Sequence, residues 1–386
     1  MEESPRRILH YIGLRGMTGV ETFVLALASG QRTLGIDAGI TCNPKGREEL
    51  IRNAQNTGVP LIPFVLGNSK AATGWRRKLN SLILSVLRVT SLVKILREKR
   101  IDVIHIHAVG IHGLPAFLAA IFARTSQIVV THHATLTYFA PMRTKKSDII
   151  FWLERRFANR VVMPYRAAAD EMVSAGVPQS RVFVIPYCAN LDRFTYRERK
   201  PNQSGQFNFL ILARMIKGKG HIELIESMKM LVEKHPEAHL TIAGNGECFE
   251  EINNLVAKYA LQSSITIMGH VALEQVPDLM TRMDVITLPS YMHGETFPIS
   301  LLEAGGMGLA AIGSRWFGIP DIIVDGKTGI IVEPRDVESL YRAMLRMVEN
   351  RMETFEMGQC ALKRSRNEFS AEVVAKRYLE LYAAGG

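Results

Sequence analysis

The chain has 386 residues, 47% of them hydrophobic and 22% charged, which predicts a globular protein of about two domains rather than a low-complexity chain. The formal charge of +10 is uneven: residues 1–200 hold 29 Lys and Arg against 14 Asp and Glu, whereas the remainder holds 18 against 23. The basic half predicts contact with something anionic, namely a phospholipid surface, a lipid pyrophosphate or a nucleic acid.

Neither a membrane span nor a disulfide framework is expected. The longest apolar run, residues 114–123, is shorter than the roughly 20 residues of a spanning helix, and the first residues lack the apolar core of a secretory signal. The four cysteines lie far apart without a C-x-x-C pair, which argues against a zinc knuckle and fits a reducing cytoplasm. A cytoplasmic protein is therefore expected.

The first half of the chain alternates apolar runs with helical patterns. Strands are predicted at residues 7–12, 36–41, 61–65, 102–107, 128–131, 160–163 and 182–185. Because these runs are continuously apolar, they favour a parallel sheet covered on both faces. The βαβα order favours a doubly wound fold.

A glycine-rich turn, residues 13–19, follows the first predicted strand. Glycines let backbone N–H groups approach a ligand closely, so Gly16 and Gly19 are candidate ligand-binding residues. The segment is not a clean G-x-G-x-x-G, and a plain strand-to-helix turn explains it equally well.

The basic stretch 70–100 is partly amphipathic. Its apolar residues recur near helical spacing among arginines and lysines, and they are Leu79, Leu82, Ile83, Val86, Val93 and Leu96. The pattern is typical of a membrane-surface helix or of a helix that covers a sheet with a charged outer face. For the part after Val89 the second interpretation is favoured.

A polar segment, residues 197–206, is predicted to link two domains, since it contains Pro and Gly and has no apolar period. The pattern then restarts, with strands predicted at residues 207–213, 238–243, 264–268, 285–288 and 310–312. Two successive α/β units predict a ligand cleft at the carboxyl ends of their strands.

The strongest chemical signal is the segment Gly294–Ala304. A polar loop leads into a helix that Pro298 can open, and the free N–H groups of such a helix start suit a phosphate. Glu303, inside the helix, can reach ribose hydroxyls, and Glu295, in the loop, can bond sugar hydroxyls. The alternative is that both glutamates are solvated surface residues.

A second signal is the basic loop after the first strand of the second half. Arg214 and Lys219 can stabilise the negative charge that develops on a departing nucleoside diphosphate. The alternative is an ordinary solvated basic loop.

Two histidine pairs, His105/His107 and His132/His133, end two predicted strands of the first half. Four histidines at one edge of a sheet suggest zinc, but the sequence has no H-E-x-x-H or comparable metal spacing. A polar histidine that contacts substrate is the favoured interpretation, and no metal is expected.

Taken together, these segments resemble the family 4 retaining glycosyltransferases, which have the GT-B fold. Glu295 and Glu303 match the E-x7-E motif of that family. Its Arg and Lys match Arg214 and Lys219, and its Gly-x-Gly after a strand matches the turn that begins at Gly244. The loop 317–329 is similar to the family's G-I-P-E-x-x-x-D-G-x-T-G, and residues 130–133 to its active-site segment, in which His133 fits the histidine position.

The resemblance implies two Rossmann-like domains that face a cleft: an acceptor-binding domain, 1–196, and a donor-binding domain, 207–368. A final helix within 369–386 would pack back on the first domain. Glu303 would hold the ribose, Arg214 and Lys219 the diphosphate and Glu295 the donor sugar, while His133 would line the acceptor side. The other implied donor contacts are Gly16, Gly19, Gly244, Thr296, Phe297, Pro298 and Ile299.

By the same resemblance the reaction retains the anomeric configuration and requires neither metal nor cofactor. A UDP-hexose donor is favoured over a GDP-sugar. The expected acceptor is a saccharide or lipid-linked saccharide of surface-polysaccharide or glycolipid synthesis, with the basic first domain at the inner face of the cell membrane. No nucleic acid partner is expected.

Departures from the family pattern make the acceptor side atypical. The usual Gly-Gly of the first turn is replaced by residues 16–19, G-M-T-G, and the usual I-P-N-G-V-D by residues 185–190, I-P-Y-C-A-N. After Glu303 the usual E-A-x-A-x-G becomes E-A-G-G-M-G. The alternatives are a nucleotide-sugar epimerase of the same fold and a catalytically silent nucleotide-sugar-binding subunit. A nicotinamide dehydrogenase is disfavoured because no clean dinucleotide fingerprint is present.

Overall fold

The computed structural model describes residues 7–13, 18–64, 74–107, 110–135, 145–196, 198, 200 and 205–384. The chain forms two compact units, one made of residues 1–188 with 371–386 and the other of residues 189–370. Each unit is an α/β structure around one sheet.

The first unit contains a seven-stranded sheet in the order β3-β2-β1-β4-β5-β6-β7. Its strands are β1 (Arg7–Ile12), β2 (Asp37–Cys42), β3 (Leu61–Pro63), β4 (Val103–His107), β5 (Gln127–Thr131), β6 (Arg160–Met163) and β7 (Val182–Val184). All neighbours pair in parallel, as the continuous apolar runs predict. In the register of β1 and β4, His10 lies opposite His105 and Ile12 opposite His107.

The helices of this unit connect successive strands. They are α1 (Thr18–Thr33), α2 (Glu48–Thr57), α3 (Gly74–Glu98), α4 (Leu114–Ala123), α5 (Lys145–Phe157) and α6 (Arg166–Ser174). The last helix of the chain, Ala371–Ala383, also belongs to this unit and packs on α1. Gly30 of α1 permits this packing, because a Cβ there would overlap the carbonyl oxygen of Ala371.

The second unit contains a six-stranded parallel sheet in the order β10-β9-β8-β11-β12-β13. Its strands are β8 (Phe207–Leu212), β9 (Ala238–Ala243), β10 (Ile265–Gly269), β11 (Val285–Leu288), β12 (Ala310–Ser314) and β13 (Gly329–Val332). The sequence interpretation missed β13, since its Gly-Ile-Ile-Val run is short and only half-buried at its centre.

The helices of the second unit are α7 (His221–Val232), α8 (Phe249–Lys258), α9 (Val276–Met280), α10 (Ile299–Gly306), α11 (Ile319–Ile322), α12 (Val337–Glu349) and α13 (Arg351–Glu368). The helix Ala371–Ala383 is therefore α14. Apolar residues of α7 and α12 pack with β8 and β9 into the core, among them Phe209, Leu224, Leu240 and Met344. Asp336 caps α12 by accepting a 3.0 Å hydrogen bond from the N–H of Ser339.

The boundary between the units differs from the predicted linker, 197–206. The chain enters the second unit at Ala189, whose N–H donates to the carbonyl of Phe369 at 3.0 Å. Tyr196 and Gln359 then share side-chain hydrogen bonds. The composition identifies the polar segment. The hydrogen bonds above show that residues 189–196, which precede it, already belong to the second unit. Within that segment, residues 197, 199 and 201–204 lie outside the described residues.

Among the described residues, no helix combines the length and the apolar character needed to cross a membrane. The long helix α3 instead has one buried and one exposed set of apolar side chains. Leu92 and Leu96 are buried in the unit, as expected for the part after Val89, whereas Ile83, Val86 and Leu87 are exposed.

Candidate active site

In the second unit, the loop after β8 lies directly against the loop after β11. The carbonyl of Gly218 accepts hydrogen bonds from the N–H of Tyr291 at 2.7 Å and from Ser290 Oγ at 3.1 Å. Gly220 has a φ of 83°, and a Cβ there would overlap the carbonyl oxygen of Pro289. The approach of the two backbones therefore requires glycine at this position.

This packing brings Lys219 and Glu295 together. Lys219 Nζ donates to Glu295 Oε2, and both side chains are buried. A buried ion pair is costly unless its geometry is good, so its place at the carboxyl edge of a parallel sheet is more typical of a ligand site than of a stabilising device.

The loop that holds Glu295 is tied to β12 and to the segment after it. Ser314 Oγ donates to the carbonyl of Ser290, and Trp316 Nε1 donates to the carbonyl of Met292 at 3.0 Å. The N–H of Gly318 donates to the carbonyl of Thr296 at 3.1 Å. These partners hold the backbone of the loop in one conformation.

Helix α10 begins at Ile299, one residue later than the sequence suggests. Pro298 is extended, with a ψ of 116°, and precedes the helix rather than opening it. Thr296, Phe297 and Ile299 are buried, and Phe297 packs edge-on against Phe369 with ring centroids 5.9 Å apart. The side chain of Phe297 therefore serves the packing of the unit.

Glu303 lies in the second turn of α10 and is buried. Burial raises the pKa of its carboxyl to about 8, against a smaller lowering by the nearby charge of Arg193. Its carboxyl makes no hydrogen bond with the part of the chain that the structure describes. A buried carboxyl in this condition is an open hydrogen-bonding group.

The two glycines that follow Glu303 have a packing reason. A Cβ at Gly305 would overlap Ser365 Oγ of α13, and a Cβ at Gly306 would lie 2.6 Å from Leu191 Cδ2. The departure from the family's E-A-x-A-x-G pattern thus allows close packing behind the helix.

Arg214 is exposed, unlike Lys219. Its guanidinium makes no ion pair or side-chain hydrogen bond within the described ranges. Gly244 has a φ of 143°, and a Cβ there would overlap the carbonyl oxygen of Ala213, while Gly246 meets the carbonyl of Met215 in the same way. The Gly-Asn-Gly turn therefore lets the loops after β8 and β9 touch backbone to backbone.

The sequence interpretation missed His221, the first residue of α7. It is buried, and its Nε2 has no hydrogen-bond partner in the described segments. Burial, and then the charge of Lys219, lowers its pKa to about 4. Its position two residues after Lys219 was the available signal.

The turn after β1 contributes less to the described structure. Gly16 lies outside the described residues, whereas Gly19 lies in the first turn of α1, exposed and with open space around the position of a Cβ. Nothing in the packing requires glycine at residue 19.

In the first unit, His133 is buried with both ring nitrogens engaged. Its Nδ1 lies 2.5 Å from Tyr187 Oη and its Nε2 lies 3.1 Å from His107 Nδ1. His105 is also buried, between Thr131 Oγ1 at 2.7 Å and Tyr382 Oη at 2.8 Å. His105 and His107 thus lie inside the unit, with their ring nitrogens bonded to other side chains.

His132 differs from its neighbour. It lies 3.1 Å from Glu154 Oε2, and although burial lowers its pKa, the charge of Glu154 and their hydrogen bond raise it more, so the net shift is upward. His10, which the sequence interpretation passed over within an apolar strand, joins His105 and His107 in a cluster whose nearest ring nitrogens lie within 4.8 Å of one another.

Two all-parallel α/β units in one chain are the architecture of the GT-B fold, which many glycosyltransferases share. The structure matches HepE of Anabaena in complex with UDP over 98% of this chain and 100% of that one, with a TM-score of 0.80 and 18% identity. At this identity the likeness shows the fold.

Family models identify the chain more closely. The model of Glycosyltransferase Family 4 matches residues 17–193 and the model of Glycosyl transferases group 1 matches residues 192–364. The chain belongs to this family of glycosyltransferases, as the sequence motifs predict.

Two curated relatives are similar over most of their length. Glycogen synthase of Mycobacterium tuberculosis is 26% identical over 295 residues, which is 75% of this chain and 70% of that protein. UDP-Gal:alpha-D-GlcNAc-diphosphoundecaprenol alpha-1,3-galactosyltransferase of Escherichia coli is 23% identical over 291 residues, 70% of this chain and 73% of that protein.

Proposed function

We propose that this glycosyltransferase moves a hexose from a nucleoside diphosphate-sugar, with UDP favoured over GDP, to a saccharide or lipid-linked saccharide. The observation that carries the proposal is the buried pair of Lys219 and Glu295 in the same unit as the buried carboxyl of Glu303, which has no hydrogen-bond partner among the described residues. Together these residues offer one group for each part of such a donor.

The donor diphosphate is assigned to cations and backbone donors. Lys219 can turn from Glu295 towards phosphate oxygens, and the exposed guanidinium of Arg214 can bind the same anion. The start of α10, where no side chain of the described residues caps the helix, adds backbone N–H groups. Because two fixed cations can stabilise the charge on the leaving diphosphate, we propose that no metal ion is required.

The remaining donor contacts fall to the two glutamates. The Glu303 carboxyl accepts hydrogen bonds from ribose hydroxyls, and Glu295, once Lys219 has turned away, accepts them from the sugar. Both carboxyls are held on loops or helices whose backbone is fixed by the contacts above.

Retention of configuration is proposed from the family resemblance. The acceptor hydroxyl attacks the anomeric carbon on the face that the diphosphate leaves. The new C–O bond forms as the C–O bond to phosphate breaks, and the acceptor proton passes to the departing phosphate oxygen. Arg214 and Lys219 stabilise the charge that remains on the diphosphate.

We further propose that the acceptor is presented at the anionic inner face of a membrane. The exposed side chains of Ile83, Val86 and Leu87 have i, i+3, i+4 spacing and form one apolar face of α3. Ile149 and Trp152 of α5 are also exposed, and the first 200 residues are strongly basic. Apolar side chains among cations suit the surface of an anionic bilayer.

The first test is thermal stabilisation by UDP, GDP and a panel of their sugars. Ligand at about 100 times its Kd should add about 2.7 kcal/mol to the wild-type protein. We expect one nucleotide to stabilise the protein, Arg214→Ala and Glu303→Gln to weaken this response, and Glu338→Gln to leave it intact. Glu338 is an exposed glutamate paired with Arg342, which makes it a matched control for the Glu303 change.

The alternatives give different results. If no nucleotide stabilises the protein, the hypothesis of a catalytically silent subunit would be favoured. Conversion of a nucleotide-sugar to its epimer without any acceptor would instead favour the epimerase.

A further inference from the structure

A continuous chain of hydrogen bonds crosses the interior of the first unit. Tyr187 Oη meets His133 Nδ1 at 2.5 Å, and His133 Nε2 meets His107 Nδ1 at 3.1 Å. His107 Nε2 meets His10 Nδ1 at 2.9 Å, and His10 Nε2 meets Gln31 Oε1 at 2.8 Å. All five side chains are buried. We call them the histidine chain.

The parallel register explains why these side chains meet. His10 and His107 lie on the face of β1 and β4 that also carries His105, because side chains alternate along a strand and His10 lies opposite His105. Gln31 comes from α1, which covers this face together with α14. His133 lies two residues beyond the end of β5.

We expect these rings to be neutral at pH 7. Burial lowers the pKa of His10 to about 4 and that of His133 to about 3, and it lowers the pKa of His107 well below its ordinary value. The other titratable groups around them are the phenols of Tyr187, Tyr378 and Tyr382, the Cys188 thiol, His105 and the His132–Glu154 pair. No carboxylate bonds to a ring of the histidine chain within the described ranges.

Neutral rings, together with a Gln31 amide that turns its oxygen towards His10, give the histidine chain a single direction. An amide oxygen only accepts, so His10 must carry its proton on Nε2 to bond Gln31 Oε1. His10 Nδ1 must then accept from His107 Nε2–H, and His107 Nδ1 must accept from His133 Nε2–H. His133 Nδ1 is left to accept from the hydroxyl of Tyr187.

We propose that Gln31, His10 and His107 are positioning residues that hold His133 as one neutral tautomer, with its proton on Nε2 and its Nδ1 occupied by Tyr187. The proposal rests on the proposed function and on the expectation, drawn from the family resemblance, that His133 lines the acceptor side. A histidine held in this way has no free lone pair for the acceptor proton.

The same geometry argues against a metal centre. His10, His105 and His107 have ring nitrogens close enough to share an ion, but the nitrogens of His10 and His107 that face each other already share one proton. Both nitrogens of His105 bond to hydroxyl groups. An ion would have to displace these hydrogen bonds.

The test is nitrogen-15 NMR of the full chain with labelled histidine, which distinguishes the two neutral tautomers from the charged ring. For His10, His107 and His133 we expect one protonated Nε2 and one unprotonated Nδ1 at neutral pH, unchanged by added zinc. His132, beside Glu154, serves as an internal reference for a ring with raised pKa. Charged rings, the opposite tautomer or zinc-dependent shifts would overturn the proposal.

Two variants test the origin of the tautomer. Gln31→Leu removes the terminal acceptor, so the signals of His133 should become a mixture of tautomers and kcat should fall about 10-fold, the rate equivalent of about 1.4 kcal/mol, at unchanged donor KM. Gln31→Glu keeps an acceptor and should keep the same tautomer of His133. The added negative charge should, however, raise the pKa of a histidine in the histidine chain. An unaltered His133 spectrum in Gln31→Leu would contradict the proposal.

Gln127→Leu is the matched control, because Gln127 Nε2 donates to the carbonyl of Tyr382 and lies outside the histidine chain. It should leave the spectrum of His133 unchanged. Stabilisation by nucleotide reports separately on the donor unit. The histidine proposal and the proposed function can therefore fail independently.

Discussion

At the scale of single residues, the second unit contains buried ionisable groups that the fold alone does not need. Lys219 and Glu295 are buried as a pair, and Glu303 is buried without a partner among the described residues. Each arrangement costs stability in the free protein, because a buried charge or polar group is favourable only when it is fully bonded. A ligand that completes these hydrogen bonds would explain why the protein retains buried groups that lower its stability.

The raised pKa of Glu303 predicts a pH-dependent effect on stability. Below about pH 4.5 the carboxyl is protonated in both the folded and the unfolded chain, and it contributes no penalty. Between that pH and about 8 the folded state retains a proton that the unfolded state releases, so the free energy of unfolding falls as pH rises. Above both pKa values the penalty is constant.

Replacing Glu303 with Gln should remove this penalty. We expect the stability of Glu303→Gln relative to wild type to rise between pH 5 and pH 8, measured by urea unfolding at several pH values. Glu338→Gln, at an exposed site, should show no such trend. A constant difference between Glu303→Gln and wild type over this range would show that the pKa of Glu303 is ordinary.

At the scale of elements, glycines decide how closely the loops of the second unit approach one another. Gly218, Gly220 and Gly244 all have positive φ and face the backbone of a neighbouring loop. The resulting contacts place Lys219 beside Glu295. The loops of the second unit therefore combine candidate ligand-binding side chains with glycines that set the path of the backbone.

Gly244 and Gly19 make a matched pair for testing this distinction. Gly244→Ala must fit a Cβ against the Ala213 carbonyl at a φ of 143°, so we expect a loss of more than about 1 kcal/mol and a weaker nucleotide response. Gly19→Ala, in an exposed helical turn with open space, should raise stability by up to about 1 kcal/mol. Urea unfolding measures both.

The activity of the Gly19→Ala protein then distinguishes a ligand-binding turn after β1 from a plain strand-to-helix turn. Full activity would assign the glycine to an ordinary turn. A stable but inactive protein would mean that a ligand approaches the backbone at this position.

At the scale of the whole molecule, the two units differ in surface character as well as in sequence. The basic excess and most of the large exposed apolar side chains lie in the first unit, and no described helix can cross a membrane. A surface that contacts the bilayer without crossing it is consistent with these facts.

Membrane binding is testable through the apolar face of α3. The Val86→Glu and Leu87→Glu double variant should lose most of its co-sedimentation with anionic vesicles, since it replaces inserted apolar side chains with charges that the surface repels. Met352→Glu is the control, because Met352 is 47% exposed, as Leu87 is, but lies in the second unit. Equal binding by the wild type and the double variant would contradict this surface.

Much of the fold could be predicted from the sequence because its information is local. Continuous apolar runs predicted the parallel strands, and E-x7-E with its accompanying basic loop predicted the family. Strand β13 and the entry into the second unit at Ala189 were not predicted, since a short half-buried run and a change of partner leave no periodic signal.

The sequence by itself determined the class of fold, the family and the residue types available for binding a nucleotide-sugar. Only the tertiary structure decided that Lys219 pairs with Glu295 and that His10, His107 and His133 are linked from Gln31 to Tyr187. The physical reason is that these contacts join residues distant in the chain. Their distances depend on strand register and on glycine-mediated approach, which only the packed units define.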